Sequence, residues 1–240
     1  SQVENGTRQK EGCGNLVTEY DYKIQQYLKQ EMKKLFPKAC FFAEEADGEP
    51  CRTGQLTIYI DPIDGTANFA RGCPHFSISL GVVQEGIPIF GAVYLPFSDE
   101  MFYAQKGMGA YLNGHPIHVS SRKMSDALVI AGTAPYDKAS LGKLSLKIVS
   151  TLFSQAADIR RYGSAAMELC YVACGRAELS FEAKLNPWDY AAGALIAQEA
   201  GGLVSKLKGE KLSFDQTDSL LCANREIYAD ALDICRATGK

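Results

Sequence analysis

Asp61 and Asp64 stand at the end of an apolar run, "TIYIDPIDGTANF" over residues 57–69, and are followed at once by Gly65 and Thr66. A carboxylate planted at the edge of buried β-structure is costly unless positive charge or N–H donors compensate it. The Gly65-Thr66 pair permits a tight turn. A helix opening near Thr66 would aim its free N–H groups into the same space as the two acids. Acids beside N–H donors suit a phosphate held through bridging cations, and two hard ions about 3.5–4 Å apart clamp both the attacking and the leaving oxygen of an in-line displacement. Oxygen donors point to Mg²⁺. Three other uses of this stretch compete with that one. An EF-hand loop starting at Asp61 needs a bidentate acid at its twelfth position, where Gly72 stands. A DxDGT phosphatase loop with an aspartyl nucleophile needs Asp in place of Pro62. A turn whose acids merely cap a helix and bond backbone amides fits either acid taken alone.

Further acids are needed to make a cluster. Glu44 and Glu45 follow the strand-like "CFFA", so one of them could end a strand pointing at the site while the other faces solvent. Taken alone, such a pair is ordinarily a solvated loop. Asp189 follows the only tryptophan and opens "WDYAAGALIAQEAGG", where an acid at a helix N-terminus also complements the dipole. His75, His115 and His118 read as surface or packing residues, and Arg160-Arg161 as a solvated strand end, although either arginine would favour an anionic ligand.

These groups must be positioned by elements legible as pattern. "TEYDYKIQQYLKQEMKKLF" places Ile24, Tyr27, Leu28 and Leu35 at helical spacing, with Thr18 and Asp21 as a capping box and Pro37 as the stop. From Phe76 to about Val119, short β-branched and aromatic runs separated by Glu85-Gly86 and Asn113-Gly114 read as an antiparallel meander. Strands and helices then alternate: "DALVIAGT", a helix over about 138–153, "ADIRRYG", "SAAMELCYVACG", "AELSFE", the helix of Asp189, a strand, and a last helix from about Asn224. Small residues Gly193, Ala197 and Ala200 recur on one face of the Asp189 helix and permit close packing. The expected organisation is an α+β half over 1–122 bearing "DPIDGT" and a smaller α/β half over 123–240 bearing "WDYAAG", joined as one catalytic unit with the active groups at the seam.

The bulk properties fit a globular protein. The chain has 240 residues, 46% of them hydrophobic, and a net charge of -3. That balance argues against broad electrostatic binding to nucleic acid or to an anionic membrane. No apolar run long enough to span a bilayer and no signal-peptide pattern is present, so a cytoplasmic location is expected. The eight cysteines are scattered without CxxC pairs, which suggests reduced packing residues rather than metal ligands.

"AEEA", "DPIDGTANF", "GAVYLP", "KGMGAYLNG", "YGSAA", "NPWDYAAG" and "EAGG", in this order, resemble the inositol monophosphatase family of Mg²⁺-dependent, lithium-sensitive phosphatases. The resemblance implies a layered αβαβα sandwich, a homodimer, two or three Mg²⁺ ions with Mn²⁺ as a substitute, and a small phosphorylated polyol or sugar as substrate. It assigns Glu44 to the first metal and Asp61 to a bridging position. Asp64 and Asp189 go to the second metal, and Ile63 gives its carbonyl. Thr66 and Asp21 resemble the pair that orients the attacking water, with Glu44 beside them. Gly65 and Thr66 would offer N–H groups to phosphate. Gly163, Ser164, Ala165 and Glu182 resemble the contacts to the substrate's hydroxyls, and Lys10 a mobile-loop lysine. The activity implied is phosphomonoester hydrolysis of inositol monophosphate or a related polyol phosphate, with fructose-1,6-bisphosphate or histidinol phosphate as alternatives. A catalytically silent homologue that binds metal and phosphate for regulation is the alternative of another class. Three features depart from the family pattern: the short segment before Lys10, Ser164 in place of a commoner threonine, and Lys184, whose charge would favour a second phosphate.

Overall fold

The structure, a computed structural model, describes residues 18–45 and 54–239 in full and the backbone of two short paired strands, β1 (Arg8–Gln9) and β2 (Leu16–Val17). Lys10 and most of the "EEADGEPCRTGQ" loop lie outside the described residues.

Helix α1 (Glu19–Leu35) starts at the expected capping box of Thr18 and Asp21. It lies on a seven-stranded sheet ordered β3 (Cys40–Ala43), β4 (Thr57–Asp64), β5 (Ser77–Gln84), β6 (Ile87–Leu95), β7 (Glu100–Gln105), β8 (Ala110–Leu112) and β9 (His115–Ile117). Only β3 and β4 are parallel; β4 pairs antiparallel with β5, and β5 to β9 form the predicted antiparallel meander. A short helix, α2 (Thr66–Ala70), follows β4 directly.

The second sheet is ordered β11 (Asp158–Arg160), β10 (Leu128–Ala131), β12 (Leu179–Leu185), β14 (Asp218–Ala223) and β13 (Leu203–Ser205). Its first three strands are parallel, while β14 runs antiparallel to both of its neighbours. Helices α4 (Ala165–Ala173) and α5 (Pro187–Glu199) fill the space between the sheets. Helices α3 (Lys143–Phe153) and α6 (Tyr228–Thr238) cover the outer face of the second sheet, with one π-helical turn over Lys138–Gly142 opening α3. The result is the expected αβαβα sandwich with three apolar layers: α1 on the first sheet, α4 and α5 between the sheets, and α3 with α6 outside the second.

Two expectations need correction. The inward face of α1 begins with Asp21 and Gln25, and Leu28 and Met32 continue it, whereas Tyr27 and Leu35 are exposed. The helical period was legible, but its phase follows the buried polar groups. The cysteines are not all reduced: Cys40 is disulfide-bonded, while Cys73, Cys170, Cys174, Cys222 and Cys235 are free. Spacing along the chain carries no information about which sulfurs approach each other. No described helix is long and apolar enough to cross a membrane.

Candidate active site

β4 runs into a bulge between Asp61 and Asp64, where its pairing with β5 shifts register. The bulge lets Asp61, Ile63 and Asp64 all reach one cavity of about 420 Å³. Gly65 then takes φ +94° and caps α2, a conformation that favours glycine. A Cβ at Gly65 would also stand 3.0 Å from the His75 carbonyl and 3.1 Å from that of Gly163. The missing side chain is what allows the 163–165 segment to approach the DPIDGT turn.

Glu44 from the end of β3, Asp189 from the first turn of α5, and Glu182 from β12 line the same cavity, as do Thr66, Gly163, Ser164 and Ala165. Acids far apart in the chain thus share one chamber. Asp61 is almost fully buried, and its carboxyl is held well above the usual carboxylate range by burial and by the charges of Glu44, Asp64 and Asp189, with a hydrogen bond shared with Glu44 adding to the effect. Asp189 is raised for the same reasons, burial first and then Glu44 and Asp64. Among the described residues, however, no three such acids close into a ready coordination sphere. Asp61, Asp64 and Asp189 spend oxygens on local donors instead. Asp189 accepts the Asn186 N–H at 2.7 Å. Asp61 accepts the Ile63 N–H at 3.1 Å.

Asp64 is tied most firmly. Its carboxylate accepts the Ser164 hydroxyl at 2.6 Å, the Ala166 N–H at 2.8 Å, the Ala165 N–H at 3.1 Å and the Ser77 hydroxyl at 3.2 Å. It therefore sits on the N-terminus of α4, and burial still leaves its pKa raised despite these four bonds. Asp64 is a latch across the seam whatever else it does. The Thr66 hydroxyl lies 2.9 Å from the Ile63 carbonyl and 3.3 Å from Asp21, and with one proton to give it favours the shorter partner.

Sequence reasoning missed several participants. Arg161, expected at a solvated strand end, lines the cavity, and Arg160 pairs with Asp158. Glu168 is buried and accepts the N–H of Gly163 at 2.8 Å and of Tyr162 at 3.2 Å, which fixes the "YGSAA" turn from beneath. Burial and the nearby Glu182 push it up to about 8. Glu182 is itself raised to about 7, chiefly by burial, and one of its carboxylate oxygens is buried without a partner among the described residues. Its carboxylate overlies Gly132, where a Cβ would stand 2.0 Å away. Asn68 donates to the carbonyls of His75, at 2.6 Å, and Tyr162, at 2.7 Å, and stitches α2 to the same turn. Tyr136, Asp137 and Lys138 form a rim, tied by Asp137 to Lys184 at 3.1 Å. His115 and His118 are exposed, and the ring of His75 packs against Tyr162. Asn68 lay inside the quoted "DGTANF", but nothing in the sequence tells which carbonyls it will meet.

An αβαβα sandwich with a carboxylate-lined cavity between its sheets is the architecture of the inositol monophosphatase family. The chain matches that family's model over residues 1–238 and belongs to the family. It is 39% identical over 203 residues to the Nus factor SuhB of Vibrio cholerae, covering 85% of this chain and 76% of the relative. It is 34% identical over 227 residues to the inositol-1-monophosphatase of Rhizobium meliloti, covering 94% and 85%. Among solved structures, the IMPase of Thermotoga maritima superposes with a TM-score of 0.89 at 31% identity, over 99% of this chain and 90% of that one.

Proposed function

We propose that this protein is a divalent-cation-dependent phosphomonoesterase acting on inositol monophosphate or a related polyol phosphate. The observation that carries this reading is the gathering of Glu44, Asp61, Asp64 and Asp189 around one cavity beside the Gly65–Thr66 turn in a member of this family. A further point of support is a solved relative at 29% identity, SaIMPase-II, described with inositol monophosphate bound.

The donor set fits a hard cation. Three acids around a buried Asp61 raise its proton affinity, so the cluster lacks positive charge, and its donors are all oxygens. Glu44, Asp61, Asp64, Asp189 and the Ile63 carbonyl would hold Mg²⁺, in two or three positions, with Mn²⁺ as a substitute. Bound cations supply charge to neutralise phosphoryl oxygens and acidify water. The chain's own groups do the rest. The amides of Gly65 and Thr66 bind phosphate oxygens at the start of α2. The Thr66 hydroxyl, between Ile63 and Asp21, orients the water that attacks phosphorus. Ser164, Gly163 and Ala165 face the polyol, and the free oxygen of Glu182 accepts one of its hydroxyl protons. Positioning and charge complementarity dominate because a phosphomonoester reacts extremely slowly unaided. The working unit we propose is a cytoplasmic homodimer.

A second reading has an observation behind it: several of the similar relatives are named Nus factor rather than phosphatase. On that reading the chain binds a partner and turns over nothing. Phosphate release measured with Mg²⁺ over inositol, sugar, histidinol and nucleotide monophosphates, and over fructose-1,6-bisphosphate, separates the two. Turnover of a polyol phosphate, lost in Asp61→Asn, supports the esterase. No release from any substrate leaves the partner-binding reading.

A further inference from the structure

The first two turns of α1 turn a polar face inward. Thr18 is 1% exposed and both Asp21 and Gln25 are 0% exposed, while apolar Leu28 and Met32 pack only farther along the helix. A fully buried carboxamide costs about 1–3 kcal/mol for each polar group left unmatched, so an apolar side chain would serve helix packing better. What Gln25 touches therefore matters. Its Oε1 accepts the backbone N–H of Glu45 at 3.0 Å, from 20 residues away. That amide belongs to the turn leaving β3, the turn that presents Glu44 to the cavity. Its Nε2 is buried and has no hydrogen-bond partner among the described residues. One helical turn earlier, Asp21 meets the Thr66 hydroxyl at 3.3 Å. α1 thus touches the Thr66 hydroxyl at one point and the turn that carries Glu44 at another, and at the second a donor is left unused.

We infer that Gln25 is a positioning residue of the cation site. Its carboxamide oxygen holds the Glu44–Glu45 turn against α1. Its Nε2 is the donor reserved for the oxygen, of water or of carboxylate, that completes the site once a divalent cation is bound. Groups that orient ligands in this way typically change metal affinity by about 10–100-fold when removed. The inference rests on the reading of Glu44 as a metal ligand.

The test is Mg²⁺ binding by calorimetry on the full chain, together with the Mg²⁺-induced rise in Tm. In Gln25→Met, which keeps the volume and loses the hydrogen bonds, Mg²⁺ affinity should fall by about 10–100-fold and the Mg²⁺-induced rise in Tm should shrink. Gln25→Glu, which keeps an acceptor for the Glu45 amide but lacks the Nε2 donor, should recover only part of the affinity. A purely structural Gln25 predicts instead that Gln25→Met lowers Tm equally with and without Mg²⁺ and leaves the affinity unchanged; that result overturns the inference and spares the cation site. A wild-type chain that binds no Mg²⁺ overturns both. Should Gln25→Met fail to fold, glutamine-¹⁵N-labelled wild type serves in its place. The Gln25 side-chain amide pair, assigned by its absence in Gln25→Glu, must shift when Mg²⁺ is added, and an unmoved pair overturns the proposal.

Discussion

Asp61 is the residue on which the site's electrostatics turn. Buried among three other acids, it favours its protonated form, and the cluster stores repulsion that a cation or a neutral side chain would relieve. Asp61→Asn should abolish Mg²⁺-dependent phosphate release and leave the cation-free protein as stable or more stable by about 1–2 kcal/mol, measured by urea unfolding. Near-normal turnover would remove Asp61 from the chemistry. Glu168 and Glu182 make a second test. An acid whose pKa is raised by folding holds its proton more tightly in the native state, so the stability it contributes is complete below its ordinary pKa and is lost as pH climbs to the folded value. For these two the loss spans the range from the ordinary glutamate value to about 7 for Glu182 and about 8 for Glu168. The Tm of cation-free protein should therefore fall between about pH 4.5 and about pH 8 and level off above that. Glu168→Gln keeps an acceptor for Tyr162 and Gly163 and should flatten that fall, and an unchanged Tm–pH curve would contradict it. Asp61 and Asp64 drew attention because acids at the end of an apolar strand are costly, whereas Glu44 and Asp189 were assigned only through the family resemblance. Gln25, Asn68, Arg161 and Glu168 were not legible, because each acts through a backbone amide or carbonyl that only the fold brings near.

At the scale of elements, α5 carries Asp189 to the seam, and the sequence that seats it lies in two strands. Cβ atoms at Gly81 and Gly91 would stand 2.7 Å from the Ala191 side chain and the Ala192 carbonyl respectively. The helix therefore rests directly on β5 and β6, and Gly193 lets α4 close from the other side, 2.8 Å from Leu169 at its missing Cβ. Gly91→Ala should destabilise by roughly 1–3 kcal/mol, because the obstruction is backbone and cannot rotate away. An unchanged Tm would mean that α5 has room to lift. Gly65→Ala should cost a similar amount, adding a left-handed residue's strain of about 1–2 kcal/mol to its contact with His75. The small-residue stripe of α5, the capping box of α1 and the meander were all readable from local pattern. The antiparallel β14 in the second sheet and the true inner face of α1 were not: strand direction is settled by long-range pairing, and the inner face by polar groups that hydropathy scores as surface.

The whole molecule is a clamp around a seam. Asp64 and Asn68 hold the "YGSAA" turn and α4 to the end of β4, while α5 spans both sheets, so the acids are placed by long-range contacts between the two sheets and by no single loop. Cation binding should therefore stabilise the entire sandwich, and Mg²⁺ should raise Tm more near pH 8 than near pH 6, where protons already relieve the cluster. A Tm insensitive to Mg²⁺ at either pH would argue that the acids form a structural network. The most direct test of the central claim is phosphate release from inositol monophosphate by wild-type chain and by Asp61→Asn, with and without Mg²⁺. Release that requires Mg²⁺ and disappears in the variant is the predicted result. Release that persists without the cation or in Asp61→Asn, or no release from any phosphorylated polyol, would contradict it.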